Sequence, residues 1–210
     1  GGANNNNGNI LIGSENINPG SANSLRNIVI ATNNNTANNL NDGIDNIVLG
    51  ADAGVELTDG NYNIAMGRCA LRCNTTANCN IGIGFQSLRR MTGGSGKNTA
   101  IGTGAGCEVT TGASNQMIGC GAGREITTGD NNITIGENAG SNLITGNKNI
   151  ILGNSGPSGS AVCTVILGAL AGGSNVPSCT ILIGQAAGMT IAGTGNIGVG
   201  LSTLRCLDKN

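Results

Sequence analysis

The sequence predicts an all-β fold, a parallel β-solenoid (β-roll or β-helix) of about twelve coils with about 17 residues in each. Three observations support this prediction. A five-residue phrase recurs along almost the whole chain, apolar residues alternate inside that phrase, and 38 glycines accompany only two aromatic residues, Tyr62 and Phe85. A core without large aromatic side chains has to be thin and repeated, and stacked coils provide such a core.

The repeated phrase starts with Asn or Thr, has an apolar residue in fourth place and closes on Gly, as in NITIG at 132–136. Aligned on its closing residue, it occurs twelve times, with the longest interval between Ala31 and Gly50 and the shortest between Gly153 and Gly168. A unit this short cannot bury a core alone, so it must stack on its neighbours. The closing residues are Gly13, Ala31, Gly50, Gly67, Gly84, Gly102, Gly119, Gly136, Gly153, Gly168, Gly184 and Gly200.

Each phrase predicts one short strand, because its apolar residues alternate with a period of two. The closing glycine permits a positive φ or close passage beside the next coil. Helices are disfavoured, since each glycine in a helix costs about 1 kcal/mol. The turn glycines that we expect to be structural are Gly67, Gly84, Gly102, Gly119, Gly136 and Gly153.

Asparagine opens most of the phrases and predicts a ladder of stacked side-chain amides that hydrogen-bond along the rod. The alternative is that asparagine only tolerates the backbone conformation of a turn. Thr164 and Thr180 stand in place of asparagine in two coils. The regular part of the expected ladder comprises Asn46, Asn63, Asn80, Asn98, Asn115, Asn132 and Asn149.

The chain divides into a polar lead-in at 1–8, a single solenoid domain at 9–204 and a C-terminal cap or tail at 205–210. It begins Gly-Gly without methionine, so we expect a processed product or a fragment. The last three intervals between closing residues are shorter than all the others. We therefore expect a bend or a change of cross-section after Gly153.

Charge and hydropathy argue against two classes of partner. The formal net charge is −1, from 10 basic and 11 acidic residues. Nucleic-acid binding would need a basic stripe with aromatic platforms, so we expect no nucleic-acid partner. No apolar run approaches the roughly 18 residues that cross a bilayer, so we expect no membrane insertion.

The residue types needed for catalysis are scarce. With no histidine, the Ser-His-Asp and Cys-His arrangements cannot form. Glu56, Glu108 and Glu125 each fall six residues after a closing glycine, but arginines in the next column indicate a solvated outer corner. Glycine-rich stretches recur with the coil and lack the following helix of a nucleotide site. We expect no enzyme activity, no catalytic residue, no cofactor and no metal site.

Eight cysteines leave the redox compartment open. None forms a C-x-x-C pair, and no histidine is present to complete a zinc site. Cys163 and Cys179 each lie five residues before a closing glycine in successive coils, so their Cα atoms should be about one strand spacing apart. They are a candidate disulfide; the alternative is that small thiols fill a tight buried column.

The stretches NIAMGRCALRCNTTAN and NIGIGFQSLRRMTGG resemble the repeats of bacteriophage and giant-virus tail-fibre proteins. They are also similar to the head repeats of trimeric autotransporter adhesins of the YadA type, which are shorter. The resemblance extends from Asn9 to about Leu204. It implies a left-handed roll, three chains packed about one axis, and an exposed fibre that binds or spaces.

From this resemblance we expect a non-enzymatic structural or adhesive rod at a virion surface, a fibre or capsid-decorating protein used for attachment or spacing. The expected partners are further copies in a homotrimer, other virion or surface proteins, and a host receptor or glycan. Two alternatives stay open. A bacterial surface adhesin head has the same fold, and an ice-binding solenoid would use threonine rows such as Thr110/Thr111 and Thr127/Thr128.

Overall fold

The structure is a computed structural model that describes residues 8–13, 24–31, 40–154, 156–157, 159–173, 176–189, 191 and 193–204. In these residues the chain is all β and forms no helix. Twelve short strands make one parallel sheet in sequence order, so each strand pairs with those before and after it. The fold is a parallel β-solenoid, as the repeat predicts. Most of the expected lead-in (1–7) and the tail (205–210) lie outside the described residues.

Each strand is short because a phrase supplies only three or four residues. Every neighbouring pair is in register, so that equivalent residues of successive phrases are partners even across the longest and shortest intervals. Extra or missing residues are therefore taken up in the corners. The strands are β1 (Ile10–Gly13), β2 (Ile28–Ala31), β3 (Ile47–Leu49), β4 (Ile64–Met66), β5 (Ile81–Ile83), β6 (Thr99–Ile101), β7 (Gln116–Ile118), β8 (Ile133–Ile135), β9 (Ile150–Leu152), β10 (Val165–Leu167), β11 (Ile181–Ile183) and β12 (Ile197–Val199).

The core is a thin stack of aliphatic columns. The middle residue of each strand points inward, as Met117 does in β7, while its neighbours on either side lie at the surface. A second buried column, three residues after the closing glycine, holds small side chains that let the corner pass close to the strand: Ala53, Ala70, Ser87, Ala105, Ala122, Ala139, Ala171 and Ala187. A third, seven residues after the closing glycine, holds larger ones: Leu57, Met91, Val109, Ile126 and Leu143.

In the core, a large side chain on a strand faces small residues at the corner, and a small strand residue faces a large corner residue. Beside the large Met117 the corner carries Gly106 and Gly123, where an added Cβ would lie 2.8 Å from Met117 atoms. Beside the small Gly82 the corner carries Leu71, whose Cγ would lie 3.3 Å from a Cβ at position 82. The corner residue is left-handed in both cases, with φ of 56° at Gly106 and 47° at Leu71. Compensating sizes thus fill the core without aromatic side chains.

Buried asparagines join successive coils in a continuous ladder. The side-chain nitrogen of Asn115 donates to Asn98 Oδ1 at 3.1 Å and to the Gly129 carbonyl at 2.8 Å. Its Oδ1 accepts two hydrogen bonds of 3.0 Å, from the backbone N–H and the side-chain nitrogen of Asn132. Each amide therefore links its own coil to both neighbours. Side-chain to side-chain bonds of this kind run through Asn9, Asn27, Asn46, Asn63, Asn80, Asn98, Asn115, Asn132 and Asn149.

The ladder stops where threonine replaces asparagine. The backbone N–H of Thr164 still donates to Asn149 Oδ1 at 2.9 Å. The Thr180 hydroxyl is buried and has no hydrogen-bond partner among the described residues, because its side chain is too short to bridge two coils. The hydroxyl of Thr134, an inward residue of β8, is also buried without a hydrogen-bond partner among the described residues. The coils after Asn149 therefore lack the amide bonds that join the earlier ones.

The closing glycines bring the backbones of successive coils into contact. In the regular coils their φ lies between +123° and +132°, a region that strains other residues. A Cβ added at Gly102 would lie 2.5 Å from the carbonyl oxygen of Gly119 in the next coil. Both the backbone conformation and the neighbouring coil thus exclude a side chain. These glycines are Gly67, Gly84, Gly102, Gly119, Gly136 and Gly153.

Replacing Asn115 with alanine should lower the free energy of unfolding by about 3 kcal/mol. The Asn132 backbone N–H would lose its acceptor, the Gly129 carbonyl would lose its donor, and Asn98 Oδ1 would lose one of its two donors. Denaturant unfolding followed by circular dichroism measures the change. The control is Gln116→Ala at the next, exposed position. Equal unfolding midpoints for the two variants would contradict a stabilising ladder.

A pair of glycine substitutions separates backbone strain from contact between coils. Gly104→Ala should cost about 1 kcal/mol, since φ is +67° but nothing lies within 4 Å of the added Cβ. Gly102→Ala should cost about 3 kcal/mol or more, because the Cβ also meets the Gly119 carbonyl. Thermal or denaturant unfolding of both variants gives the difference. If Gly104→Ala is as damaging as Gly102→Ala, the coils are not stacked this closely.

Candidate functional site

The largest functional candidate is an apolar strip formed by the outward side chains of all twelve strands, which we call the strand face. These side chains point outward because they alternate with the buried middle residue of each strand. Typical members such as Ile118 and Ile135 are 37% and 38% exposed. The strand face consists of Ile10, Ile12, Ile28, Ile30, Ile47, Leu49, Ile64, Met66, Ile81, Ile83, Thr99, Ile101, Gln116, Ile118, Ile133, Ile135, Ile150, Leu152, Val165, Leu167, Ile181, Ile183, Ile197 and Val199.

The strand face is almost free of polar side chains. Two residues from each of twelve strands make 24 positions, and only Thr99 and Gln116 are polar. With strands about 4.8 Å apart, the strip is about 50 Å long and about 10 Å wide, or about 500 Å² in projection. That is near the upper limit for the largest apolar patch of a typical monomer. Most of the side chains are β-branched and already ordered, so a flat partner can pack on them at little cost in side-chain entropy.

Two ion pairs between acidic and arginine side chains lie at the surface of the described residues. Glu108 Oε2 accepts a contact of 2.8 Å from Arg90 Nη1. Near the other end, Arg26 donates two hydrogen bonds of 2.7 Å to Asp45, and these bonds lower the pKa of the Asp45 carboxyl. Exposed ion pairs of this kind contribute little to stability. Within the described residues, no group of three His, Cys, Asp or Glu side chains could hold a metal ion.

The seven described cysteines are all free thiols, and Cys206 lies outside the described residues. Burial raises the pKa of the Cys107 thiol, and the charge of Glu108 raises it further. Burial likewise raises the pKa of Cys73. A thiol with a raised pKa is protonated at neutral pH and is a weak nucleophile. Neither thiol is therefore activated for covalent catalysis.

Cys163 and Cys179 occupy the same column in adjacent coils. Both are exposed, and their φ values of 56° and 60° give them the same left-handed backbone. The backbone N–H of Cys179 donates to the carbonyl of Val162 at 2.9 Å, next to Cys163. The two thiols thus stand side by side at the surface and do not fill a buried column. The disulfide between them stays a prediction, since both are free here.

The threonine rows divide into an internal row and an outer row. Hydroxyls of the internal row donate to the backbone carbonyl of the next coil, as Thr110 does to Thr127 at 3.2 Å. Thr58 and Thr127 repeat this bond. The outer row is exposed at Thr76, Thr111, Thr128 and Thr145. Half of the hydroxyls that an ice-binding surface would use are therefore engaged within the protein.

A groove of about 270 Å³ opens where the coils shorten after Gly153. It spans four successive coils, beginning with the one that starts at Gly136. Its apolar lining includes the side chains of Leu170 and Met189, which are 53% and 40% exposed. The lining residues are Asn138, Ser141, Asn142, Asn154, Gly156, Leu170, Gly172, Gly173 and Met189.

A second, outer ladder, in which Asn and Asp side chains near the surface accept backbone N–H groups of the preceding coil, was not predicted from the sequence. Asn61 Oδ1 accepts the backbone N–H of Ile44 at 2.8 Å, and Asn78 Oδ1 accepts that of Asn61 at 2.7 Å. Asp130 and Asn147 repeat the arrangement farther along. Here the acceptor lies in the later coil, whereas in the buried ladder it lies in the earlier one. The available signal was an Asn or Asp two residues before the ladder asparagine in each of these coils.

Mild oxidation should link Cys163 to Cys179, because they are neighbours in one exposed column. The bond would close a loop of about 15 residues and raise stability by about 3 kcal/mol in the chain-entropy account. Peptide mass mapping under non-reducing conditions detects the link, and Cys163→Ser should abolish it. Cys120→Ser, at a separate exposed thiol, is the control. If oxidation links other cysteines but leaves Cys163 and Cys179 unlinked, the proposed stacking of the two coils is contradicted.

The part of the chain that the structure describes contains no helix long and apolar enough to cross a bilayer. Comparison of the chain with protein-family models, with curated proteins and with solved structures finds no match.

Proposed function

We propose that the protein is a non-enzymatic structural or adhesive rod, an exposed viral fibre or capsid-decorating protein that attaches or spaces. In this proposal the chain is a left-handed solenoid of twelve coils, and three copies pack about a common axis. The observation that carries the proposal is the single unbroken sheet of twelve strands with an apolar outer face. Handedness and the number of chains follow the resemblance to fibre and adhesin repeats.

Stiffness supports a spacing role. Each strand bonds to both neighbours, and the asparagine ladder joins the same coils through side chains at every step from Asn9 to Asn149. A body built this way resists bending and stretching along the rod, and it lengthens by adding coils. Among the described residues, the thiols of Cys73 and Cys107 have raised pKa values and so are not activated nucleophiles.

The strand face supports self-association. About 500 Å² of flat aliphatic surface is a large part of the roughly 800 Å² that each partner buries in a standard interface. A partner must match a strip of the same length, and a further copy of the chain has such a strip. Isologous or cyclic packing of strand faces covers this surface on every copy. We therefore place the strand face at the axis of the proposed homotrimer.

The solution mass tests self-association directly. Sedimentation velocity or light scattering of the native protein should give three times the mass of the 20.7 kDa chain. Placing lysines at Ile101, Ile118 and Ile135 should dissociate the assembly, since three charges would be buried against apolar surface. The matched control puts lysines at Thr111, Thr128 and Thr145, which lie on the outer corner in the same part of the rod.

A native monomer at micromolar concentration would overturn the trimer. Equal dissociation by the two lysine sets would show that the strand face is not the interface. The virion location has its own test: antibodies against the purified chain should label intact virus particles of its source. Labelling of a bacterial surface instead would favour the adhesin alternative.

A further inference from the structure

The groove exists because one coil is short. The interval from Gly153 to Gly168 is two residues shorter than the interval from Gly136 to Gly153. In regular coils the eighth residue after the closing glycine bonds to the eighth residue of the next coil, as the N–H of Thr127 does to the Ile144 carbonyl at 2.8 Å. The N–H of Ile144 donates instead to Gly159, the sixth residue of its coil, at 2.7 Å. Two corner residues are therefore missing before Gly159.

The missing residues leave the corner open between the coils on either side. Residues of the coil before it, such as Asn142, and of the coils after it, such as Leu170 and Met189, then line one groove. Asn142 is held in place by its backbone carbonyl, which accepts the N–H of Gly159 at 2.9 Å. Backbone hydrogen bonds between successive coils thus hold part of the groove wall in place.

The lining combines neutral polar groups with an apolar floor. None of the nine lining residues carries a charge. The Asn142 side chain is exposed and makes no hydrogen bond to another described residue, so its donors and acceptor are open to a ligand. Leu170 and Met189 expose about half of their apolar surface beside them. A fitting ligand must both donate and accept hydrogen bonds, present C–H groups on one side, and carry no charge.

We propose that this groove binds one neutral sugar residue of a glycan. A pyranose ring has hydroxyls along its rim for the Asn142 amide and the Ser141 hydroxyl, and a C–H face for Leu170 and Met189. The volume of about 270 Å³ is at the small end of ligand pockets, which suits a single ring. Binding by one open groove is weak, and repetition of the groove on an assembly multiplies it. The inference does not depend on self-association, since all lining residues belong to one chain.

Saturation-transfer NMR with methyl glycosides of glucose, galactose, mannose and N-acetylglucosamine tests the proposal. At least one glycoside should give a signal with the native protein. Asn142→Ala together with Met189→Ala should reduce that signal at least fivefold, and Asn142→Trp should abolish it by filling the groove. Gln185→Ala, at an exposed position outside the groove, should leave it unchanged. Circular dichroism establishes that each variant keeps the fold.

Three results would overturn the sugar site. These are no transfer to any neutral glycoside, an undiminished signal in folded Asn142→Trp, and stronger transfer to a sialoside or a short peptide than to every neutral glycoside. Failure here is distinct from failure of the rod proposal. If the protein is a trimer but binds no sugar, only the sugar-site proposal is wrong. If it is a monomer that binds sugar through Asn142, only the trimer proposal is wrong.

Discussion

The buried asparagine ladder is the constraint on which the rest of the structure depends. An amide buried without partners would cost several kcal/mol, so each ladder asparagine is tolerated only where a coil lies on either side of it. From Asn9 to Asn149 the ladder consequently favours both the stacking of coils and their register: Asn63 can bond to Asn46 and Asn80 only if their phrases lie one above the other. The short strands alone, with three residues each, would specify that register weakly.

Once the register is fixed, the corners and the outer surface are free to vary. The shortest and the longest coils keep the same strand partners, so differences in coil length fall between the strands. The strand face is a consequence of the same arrangement, since strands that turn one side chain inward must turn two outward. Their aliphatic character is not required by the core. This aliphatic character is the basis for proposing that the strand face contacts a partner.

Much of the fold could be predicted from the sequence because period and glycine spacing act locally. The recurring phrase located all twelve strands, and the rule of small closing residues located the close contacts between coils, such as Gly102 on Gly119. Features that depend on two or more coils were harder to predict from the sequence. The leucine at corner position 71 fits Gly82 in the next phrase, the outer ladder depends on Asn61 and its neighbours, and the groove depends on four successive coils. No single repeat carries that information.

Both proposals for function rest on surfaces: the strand face as a contact for other copies, and the groove beside Asn142 as a site for a ligand. Both surfaces exist only if each phrase is one rung of one ladder. An experimental high-resolution structure, by crystallography or electron cryomicroscopy, tests that claim most directly. The account predicts that the Asn63 and Asn80 side chains are hydrogen-bonded neighbours one strand spacing apart, about 4.8 Å. If these asparagines lie in separate elements, or face solvent, the account is wrong.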